Sequence, residues 1–253
     1  MTTVDMTTIE RLTHHEAMRC QALELERTLG LLRSLGAASW TAPTDCPAWD
    51  VRAMYQHVLG ACEAGASMRQ NIHQMRAARA YRKRHGGPLE AALSAVQVRE
   101  RAGLTPEQII GRLAAVAPRT VRSRTRMPAL MRHHVMLAVD GPVHEKWRLG
   151  YLIDIIYLRD LWMHRIDAAR ATSRPPELSP SHDGRIVADI VAEWARRHGK
   201  PFVLGLGGPA GGTYASRPGL PGAERISLDA VEFCRTLAGR AAATGLLATI
   251  VPF

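Results

Sequence analysis

The sequence predicts a helical N-terminal domain followed by a small α+β domain. Apolar residues recur every three or four positions through most of the first part of the chain, as they do in amphipathic helices. A segment rich in proline and serine, residues 173–180, then has the composition of an interdomain linker. Beyond it, helical patterns alternate with short apolar runs and glycines. These three observations predict two domains, at residues 1–172 and 181–253.

The composition is that of an ordinary globular protein. The 253 residues are 46% hydrophobic and 22% charged, which argues against a disordered chain or a fibrous repeat. No stretch approaches the roughly 18 uncharged apolar residues of a membrane span, so no membrane association is expected. Residues 1–12 contain acids and lack an apolar core, so we expect no signal peptide and a cytoplasmic protein.

The charge is strongly basic, with 33 lysines and arginines against 23 acids and a net charge of +10. Only three of these bases are lysines, and codon bias in a GC-rich genome produces such a skew. The excess is therefore weak support for nucleic-acid binding, and no nucleic-acid partner is expected. The 4 cysteines form no C-x-x-C pair, so neither a disulfide framework nor a cysteine-based zinc site is expected.

Capping residues predict where the first helices begin. Thr7 and Glu10 fit a capping box for a first helix that ends near Gly36. A loop with two prolines and two tryptophans follows at residues 40–49. Asp50 is then placed to cap a second helix, which we expect to continue to about Ala80.

The remaining N-terminal helices follow from caps and apolar runs. A third helix is predicted at residues 89–101, and a fourth begins at a capping box formed by Thr105 and Gln108. The arginine-rich residues 119–134 have no predicted structure. A long apolar helix is predicted at residues 143–171.

The C-terminal domain is predicted to mix helices and strands. Its predicted elements are a helix at 183–198, a strand at 202–206, a glycine-rich hairpin at 207–222, a helix that Ser227 caps and that ends at Leu237, and a closing strand at 246–251.

Histidines paired with acids indicate where metal chemistry is possible. An acid and a histidine at positions i and i+4 share one helix face and can bind one ion. The chain has three such pairs, which are Glu10/His14, Asp140/His144 and Asp160/His164. Chance alone supplies such pairs in a chain with 11 histidines, so the spacing is weak support by itself.

The surroundings distinguish Asp160 and His164 from the other pairs. They lie in an apolar helical segment, where a buried carboxylate needs a metal or a second polar group as a partner. His57 lies on the apolar side of the second helix and is the natural third ligand. Two imidazoles and one carboxylate leave the fourth coordination position of an ion open for water or substrate, as in a catalytic zinc site. A satisfied core pair of Asp160 and His164, with His57 as a packing residue, is the alternative.

Three segments resemble one known family. WTAPTDCPAWDVRAMYQHV (residues 40–58) resembles the W-x-x-P-T-x-C-x-x-W-x-V-x-x-x-x-x-H signature of the mycothiol-dependent maleylpyruvate isomerase family, part of the DinB-like superfamily. RDLWMHRID (residues 159–167) resembles its second metal-binding helix, and DAVEFCRTLAGR (residues 229–240) is similar to its terminal region. The resemblance implies a DinB-like four-helix metal-binding bundle joined to a small α+β domain similar to sterol-carrier proteins.

The same resemblance implies the site residues. The family's three metal ligands fall on His57, Asp160 and His164, and its functional C-terminal arginine falls on Arg240. The usual acid in the family is Glu, so Asp160 is a departure with a side chain one methylene shorter. Trp49 and Cys46 lie within the signature, and we interpret both as packing residues.

The implied function is a metal-dependent, mycothiol-dependent isomerase or S-transferase. A divalent metal, with zinc the best match to the ligands, activates the thiol of mycothiol for attack on a small electrophilic substrate. Arg240 binds a substrate carboxylate. A monomer and a homodimer both remain open. The alternatives are a non-catalytic DinB-like or sterol-carrier-like protein that binds a small molecule, and a nucleic-acid-associated protein.

Overall fold

Most of the chain is helical, and its strands form two small sheets. The computed structural model describes residues 3–141, 144–217, 220 and 222–253. The chain divides into two compact units. The helical unit is His14–Pro175, and the sheet unit combines Met1–Thr13 with Pro176–Phe253. None of the described helices has the length and apolarity needed to cross a membrane.

The elements follow in chain order. The sheet unit begins with β1 (Thr3–Asp5) and a 3₁₀ turn (Met6–Thr8). The helical unit then contains α1 (His14–Ser34), α2 (Val51–Ala66), α3 (Met68–His85), α4 (Leu89–Arg101), α5 (Pro106–Thr125), α6 (Ala129–His134), β2 (Met136–Asp140), β3 (His144–Arg148), α7 (Leu149–Tyr151), a π-helical stretch (Leu152–Ile156) and α8 (Tyr157–Ala171). The sheet unit resumes with α9 (Asp183–His198), β4 (Phe202–Gly207), β5 (Gly212–Ser216), β6 (Glu224–Asp229), α10 (Ala230–Leu237) and a 3₁₀ turn (Gly245–Ala248).

Four helices share the core of the helical unit. Their apolar faces meet in one cluster, with Leu32 from α1, Met54 from α2, Leu113 from α5 and Leu161 from α8 among its buried members. Burial of each such side chain stabilises the fold by about 1.5–3 kcal/mol. Since α2 and α8 both contribute to this core, their neighbouring polar residues are held at fixed positions.

Two predicted helix starts are confirmed. The Asp50 side chain accepts a hydrogen bond of 2.7 Å from the backbone N–H of Ala53 and so caps α2. Thr105 and Gln108 form the predicted capping box of α5, with the N–H of each residue bonded to the side chain of the other.

The predicted start of the first helix is wrong. Thr7 lies in the 3₁₀ turn, where Asp5 accepts its N–H, and α1 begins only at His14. Residues Thr3–Asp5 instead pair with β5 as the parallel strand β1. The second helix is also shorter than predicted, because the extended backbone of Ser67 (φ −146°) ends α2 and caps α3.

The long helix predicted at 143–171 begins at Leu149. Residues 144–148 pair with β2 as the antiparallel strand β3, in a register that places His144 opposite Asp140. Residue 143 lies outside the described residues. The arginine-rich stretch 119–134, which had no predicted structure, contains the end of α5 followed by α6.

The sheet unit is built on four strands in the order β1-β5-β4-β6. β4 is antiparallel to β5 and parallel to β6, and β1 is parallel to β5. Trp194 of α9 packs at a ring distance of 4.8 Å from Phe202 of β4 and 5.3 Å from Phe233 of α10. The predicted helix at 183–198 is confirmed as α9, and the predicted strand at 202–206 forms most of β4.

Two predictions for the sheet unit are wrong. Asp229, not Ser227, caps α10, because Ser227 lies within β6 and the Asp229 carboxylate accepts the first N–H groups of the helix. The closing strand expected at 246–251 is absent from the described residues, where Gly245–Ala248 form a 3₁₀ turn. The glycine-rich hairpin at 207–222 includes β5, while residues 218, 219 and 221 lie outside the described part.

Candidate metal centre

Helices α2 and α8 bring the three predicted ligands together. His57 is on α2, and Asp160 and His164 are one turn apart on α8. Nε2 of His57 lies 3.8 Å from Oδ2 of Asp160, and Nε2 of His164 lies 3.2 Å from Oδ1 of Asp160. One possible ligand atom from each residue lies within 4.8 Å of the others. We call these three residues the His57 cluster.

The His57 cluster is largely shielded from solvent. The exposed fraction is 13% for the His57 side chain, 26% for Asp160 and 6% for His164. Burial disfavours the charged form of His164, but the adjacent Asp160 carboxylate outweighs it and raises the pKa of His164 well above its usual value. Burial would likewise raise the pKa of Asp160, but both histidines together hold it well below its usual value. The Asp160 carboxylate thus favours the protonated form of His164, and the two histidines favour the ionised form of Asp160.

The donors of the His57 cluster fit a divalent metal. Nδ1 of His57 and both ring nitrogens of His164 are buried without a hydrogen bond of good geometry. Buried polar atoms in native proteins are usually satisfied, so these nitrogens indicate a missing partner. Two imidazoles and a carboxylate are ligands that zinc accepts while retaining a position for water or substrate. The residues present therefore fit the metal that the resemblance implies.

The loop before α2 places the side chains of Trp49 and Cys46 beside the His57 cluster. The Thr44 hydroxyl donates to the Trp49 carbonyl over 2.8 Å and accepts the Cys46 N–H over 3.2 Å. The Trp49 N–H in turn donates to the Cys46 carbonyl over 2.9 Å. The Trp49 ring stacks on His57 with centroids 5.0 Å apart. Trp49 thus packs, as predicted, but it packs on a candidate ligand.

A second carboxylate lies on the other side of His164. Oδ2 of Asp167 is 3.6 Å from Nδ1 of His164, and the Cys46 thiol donates to the same oxygen over 3.8 Å. Asp167 is fully buried. Residue patterns alone do not single out Asp167, and they favour a packing role for Cys46. The available signal was the spacing of Asp167, which follows His164 by three residues on the same helix.

The other two acid–histidine pairs do not form comparable sites. Nδ1 of His14 lies 2.7 Å from Oδ1 of Asp154 in the π-helical stretch. His14 therefore pairs with Asp154 and not with Glu10. His144 lies 3.7 Å from Asp140 across the β2–β3 hairpin, and its side chain is 85% exposed. An exposed pair of this kind contributes little to stability or to binding.

Arg240 lies in the sheet unit, immediately after α10. Gly239 adopts a left-handed backbone (φ 74°), and the Arg240 N–H bonds to the Arg235 carbonyl over 2.9 Å. This is the arrangement of a Schellman motif, in which glycine is favoured because it lacks a Cβ. The motif fixes the backbone of Arg240, and its role at the site stays a prediction.

Comparisons with known proteins identify a family. The mycothiol maleylpyruvate isomerase N-terminal domain family matches residues 22–169. The chain is similar to a crystal structure of the mycothiol-dependent maleylpyruvate isomerase, with 16% identity and a TM-score of 0.58 over 95% of this chain and 93% of that chain. It is also similar to a histidine-to-alanine mutant of the mycothiol-dependent maleylpyruvate isomerase, with a TM-score of 0.57 at the same identity and coverage. No curated protein sequence matches the chain.

The family match covers more than half of the chain and includes every member of the His57 cluster. The solved structures, at 16% identity, establish similarity of fold over almost the whole length. The resemblance inferred from the sequence segments is thereby confirmed, and the chain belongs to the mycothiol maleylpyruvate isomerase N-terminal domain family.

Proposed function

We propose that the protein is a metal-dependent, mycothiol-dependent isomerase or S-transferase that acts on a small electrophilic substrate. The observation that carries the proposal is the convergence of His57, Asp160 and His164 within a chain that belongs to this family. In this proposal the four helices α1, α2, α5 and α8 are the DinB-like metal-binding bundle. The sheet unit is the sterol-carrier-like domain.

The residues of the His57 cluster would hold the metal. When bound, a divalent metal with an open position lowers the pKa of a thiol, so that a thiolate nucleophile exists at neutral pH. Zinc suits the two imidazoles and the carboxylate best. The carboxylate of Asp160 lies within reach of both histidines, so it can offset the positive charge of an ion that they bind.

Other residues of the chain prepare the site for this chemistry. Trp49 stacks on His57, restricts rotation of its ring and excludes water from one face. Asp167 can accept a hydrogen bond from the N–H at Nδ1 of His164, which leaves Nε2 free to bind an ion. Arg240 is proposed to bind a substrate carboxylate through its planar guanidinium group.

The proposed reaction begins with thiolate addition to an electrophilic carbon of the substrate. Reversal of the addition after rotation about the new single bond gives an isomer and releases the thiol. If the carbanion left by the addition takes a proton from solvent instead, the new carbon–sulfur bond is retained and the outcome is S-transfer. Fold alone does not set the substrate, so both outcomes belong to the proposal.

The test is a thiol-dependent assay with zinc-loaded protein, mycothiol and maleylpyruvate, run beside a panel of other small electrophiles. We expect turnover that requires both zinc and mycothiol and that falls by at least about a hundredfold in His57→Ala. The matched control is His144→Ala, which removes an exposed histidine and should leave turnover unchanged. A zinc-loaded protein that neither isomerises nor conjugates any of these substrates would contradict the proposal and favour the non-catalytic alternative.

A further inference from the structure

We propose that Cys46, Asp167 and Nδ1 of His164 form a second cation position, selective for thiophilic divalent ions such as cadmium. A sulfur, a carboxylate oxygen and a ring nitrogen of these residues all lie within 4.8 Å of one another. Oδ2 of Asp167 lies near both partners, at 3.8 Å from Sγ of Cys46 and 3.6 Å from Nδ1 of His164. We call these three residues the Cys46 cluster.

Burial and accessibility both favour an ion at the Cys46 cluster. Asp167 is 0% exposed and His164 is 4% exposed. Nδ1 of His164 is buried and makes no hydrogen bond of good geometry, with Oδ2 of Asp167 3.6 Å away, so this nitrogen has room for an ion as a partner. Cys46 is partly exposed, whereas the other 3 cysteines are buried. An ion from solvent can therefore reach the thiol, while the other two donors are already shielded from water.

The donor set of the Cys46 cluster differs from that of the His57 cluster in one respect. Thiolate sulfur is a soft ligand that selects thiophilic ions. Two imidazoles and a carboxylate discriminate only weakly between thiophilic ions and other divalent metals. The loop fixes the backbone of Cys46, because the Thr44 hydroxyl accepts the Cys46 N–H. Ion binding would form the metal–sulfur bond and release the thiol proton to solvent.

His164 belongs to both clusters, and this makes the two positions compete. A neutral imidazole binds an ion through one nitrogen and carries its proton on the other. An ion at Nδ1 leaves the proton on Nε2, which lies 3.2 Å from Asp160. An ion at Nε2 leaves the proton on Nδ1, which lies 3.6 Å from Asp167. In either case a carboxylate lies beside the nitrogen that keeps the proton and can accept its hydrogen bond, from Nε2 to Asp160 or from Nδ1 to Asp167.

The test of the Cys46 cluster is a cadmium titration of the metal-free protein, followed by the ultraviolet charge-transfer absorption of a cadmium–thiolate bond. We expect an absorption that saturates at an equimolar amount of cadmium. It should vanish in Cys46→Ser, and cadmium affinity should fall at least about tenfold in Asp167→Asn. It should persist in His57→Ala and in Cys20→Ser, which removes a buried thiol. Circular dichroism confirms that each variant is folded.

Three results would overturn the proposal. The first is no thiolate absorption in the wild-type protein, and the second is an unchanged absorption in Cys46→Ser. The third is an equal cadmium affinity in His164→Ala, since an isolated thiol would then suffice.

The competition rests on the proposed function, because it requires an ion at the His57 cluster. Cobalt(II) reports that position by a visible spectrum that His57→Ala should abolish. Prior cadmium loading should suppress this spectrum in the wild type and not in Cys46→Ser. Full cobalt uptake in cadmium-loaded wild type would show that the positions do not exclude each other. A cadmium–thiolate signal without any His57-dependent cobalt spectrum would instead contradict the proposed function and leave the second position standing.

Discussion

His164 lies between two carboxylates that contact opposite nitrogens of its ring. Asp160 lies beside Nε2 and Asp167 beside Nδ1. Burial opposes the charged imidazolium, yet the adjacent carboxylates raise its pKa well above the usual value. A metal ion that takes the place of this proton therefore competes directly with protonation.

The first prediction concerns the protons released on zinc binding. The raised pKa of His164 means that the metal-free protein holds a proton on this ring at neutral pH, while Asp160, whose pKa is lowered, stays ionised. Zinc binding must release the His164 proton, so affinity rises with pH until the pH passes that raised pKa. Calorimetry in buffers of different ionisation enthalpy measures this release.

Three variants sharpen the proton measurement. Asp160→Asn removes the charge that raises the His164 pKa, so it should reduce both proton release and zinc affinity. Asp140→Asn is the matched control, because Asp140 also pairs with a histidine four residues on but is exposed. Cys46→Ser should be run in parallel, since a thiol proton would add to the count. Zinc binding at neutral pH without proton release in the wild type would contradict the account.

Residue types and spacing were sufficient to predict the His57 cluster, but not its surroundings. Asp160 and His164 were found because an acid and a histidine share one face of an apolar helix. Asp167 was missed because an acid three residues after a histidine is also the ordinary pattern of a solvated helix pair. The contact of Cys46 with Asp167 could not be predicted, because the position of Cys46 depends on hydrogen bonds to Thr44, and loop geometry of this kind leaves no periodic pattern.

At the scale of elements, α2 positions His57 through close packing as well as through its Asp50 cap. Gly60, one turn after His57, faces α4 so closely that a Cβ built on it would lie 2.7 Å from the Gln97 side chain. The Gly60 carbonyl also accepts the amide of Gln74 over 3.0 Å, and Gln74 accepts from Gln97 over 2.9 Å. A buried amide network thus joins α2, α3 and α4.

The second prediction follows from this close approach. Gly60→Ala should destabilise the protein by about 1–3 kcal/mol, because the buried Gln97 must shift. Gly111→Ala is the control, since nothing lies within 4 Å of its added Cβ and alanine favours a helix by about 1 kcal/mol. Urea unfolding measures both variants. Equal stability changes in the two variants would show that α2 and α4 do not pack this closely.

Local signals explain which elements could be predicted. The caps of α2 and α5 involve residues three apart in sequence, so the sequence alone indicates them. The start of α1 was mistaken because Thr3–Asp5 pair with β5, far along the chain, and that pairing has no local signature. The strand β3 was mistaken for the first turn of a helix because it leads directly into the apolar run that begins at Leu149, and its pairing with β2 has no alternating apolar pattern in the sequence.

At the scale of the whole molecule, the sheet unit is assembled from both ends of the chain. β1 pairs with β5 in a parallel register that places Val4 opposite Tyr214. Arg185 of α9 donates to the Glu10 carbonyl over 3.0 Å. Met6 is buried. The N-terminal residues are therefore structural members of this unit.

The third prediction tests this discontinuous unit. Deletion of residues 1–13 should expose one edge of β5 and speed hydrogen exchange at Gly212–Ser216. Exchange in α2 should change little, because α2 belongs to the other compact unit. Hydrogen exchange followed by mass spectrometry resolves both segments. Unchanged protection of β5 in the deletion variant would contradict the assignment of β1 to this sheet.

The measurement that tests the central claim most directly is metal content by elemental mass spectrometry. The samples are wild type, His57→Ala, His164→Ala and the control His144→Ala, each supplied with zinc and then freed of unbound ion. The account predicts a stoichiometric amount of zinc in wild type and in the control, and its loss in both cluster variants, because zinc affinity falls with each ligand removed. Wild-type protein that retains no metal, or cluster variants that retain as much as wild type, would contradict it.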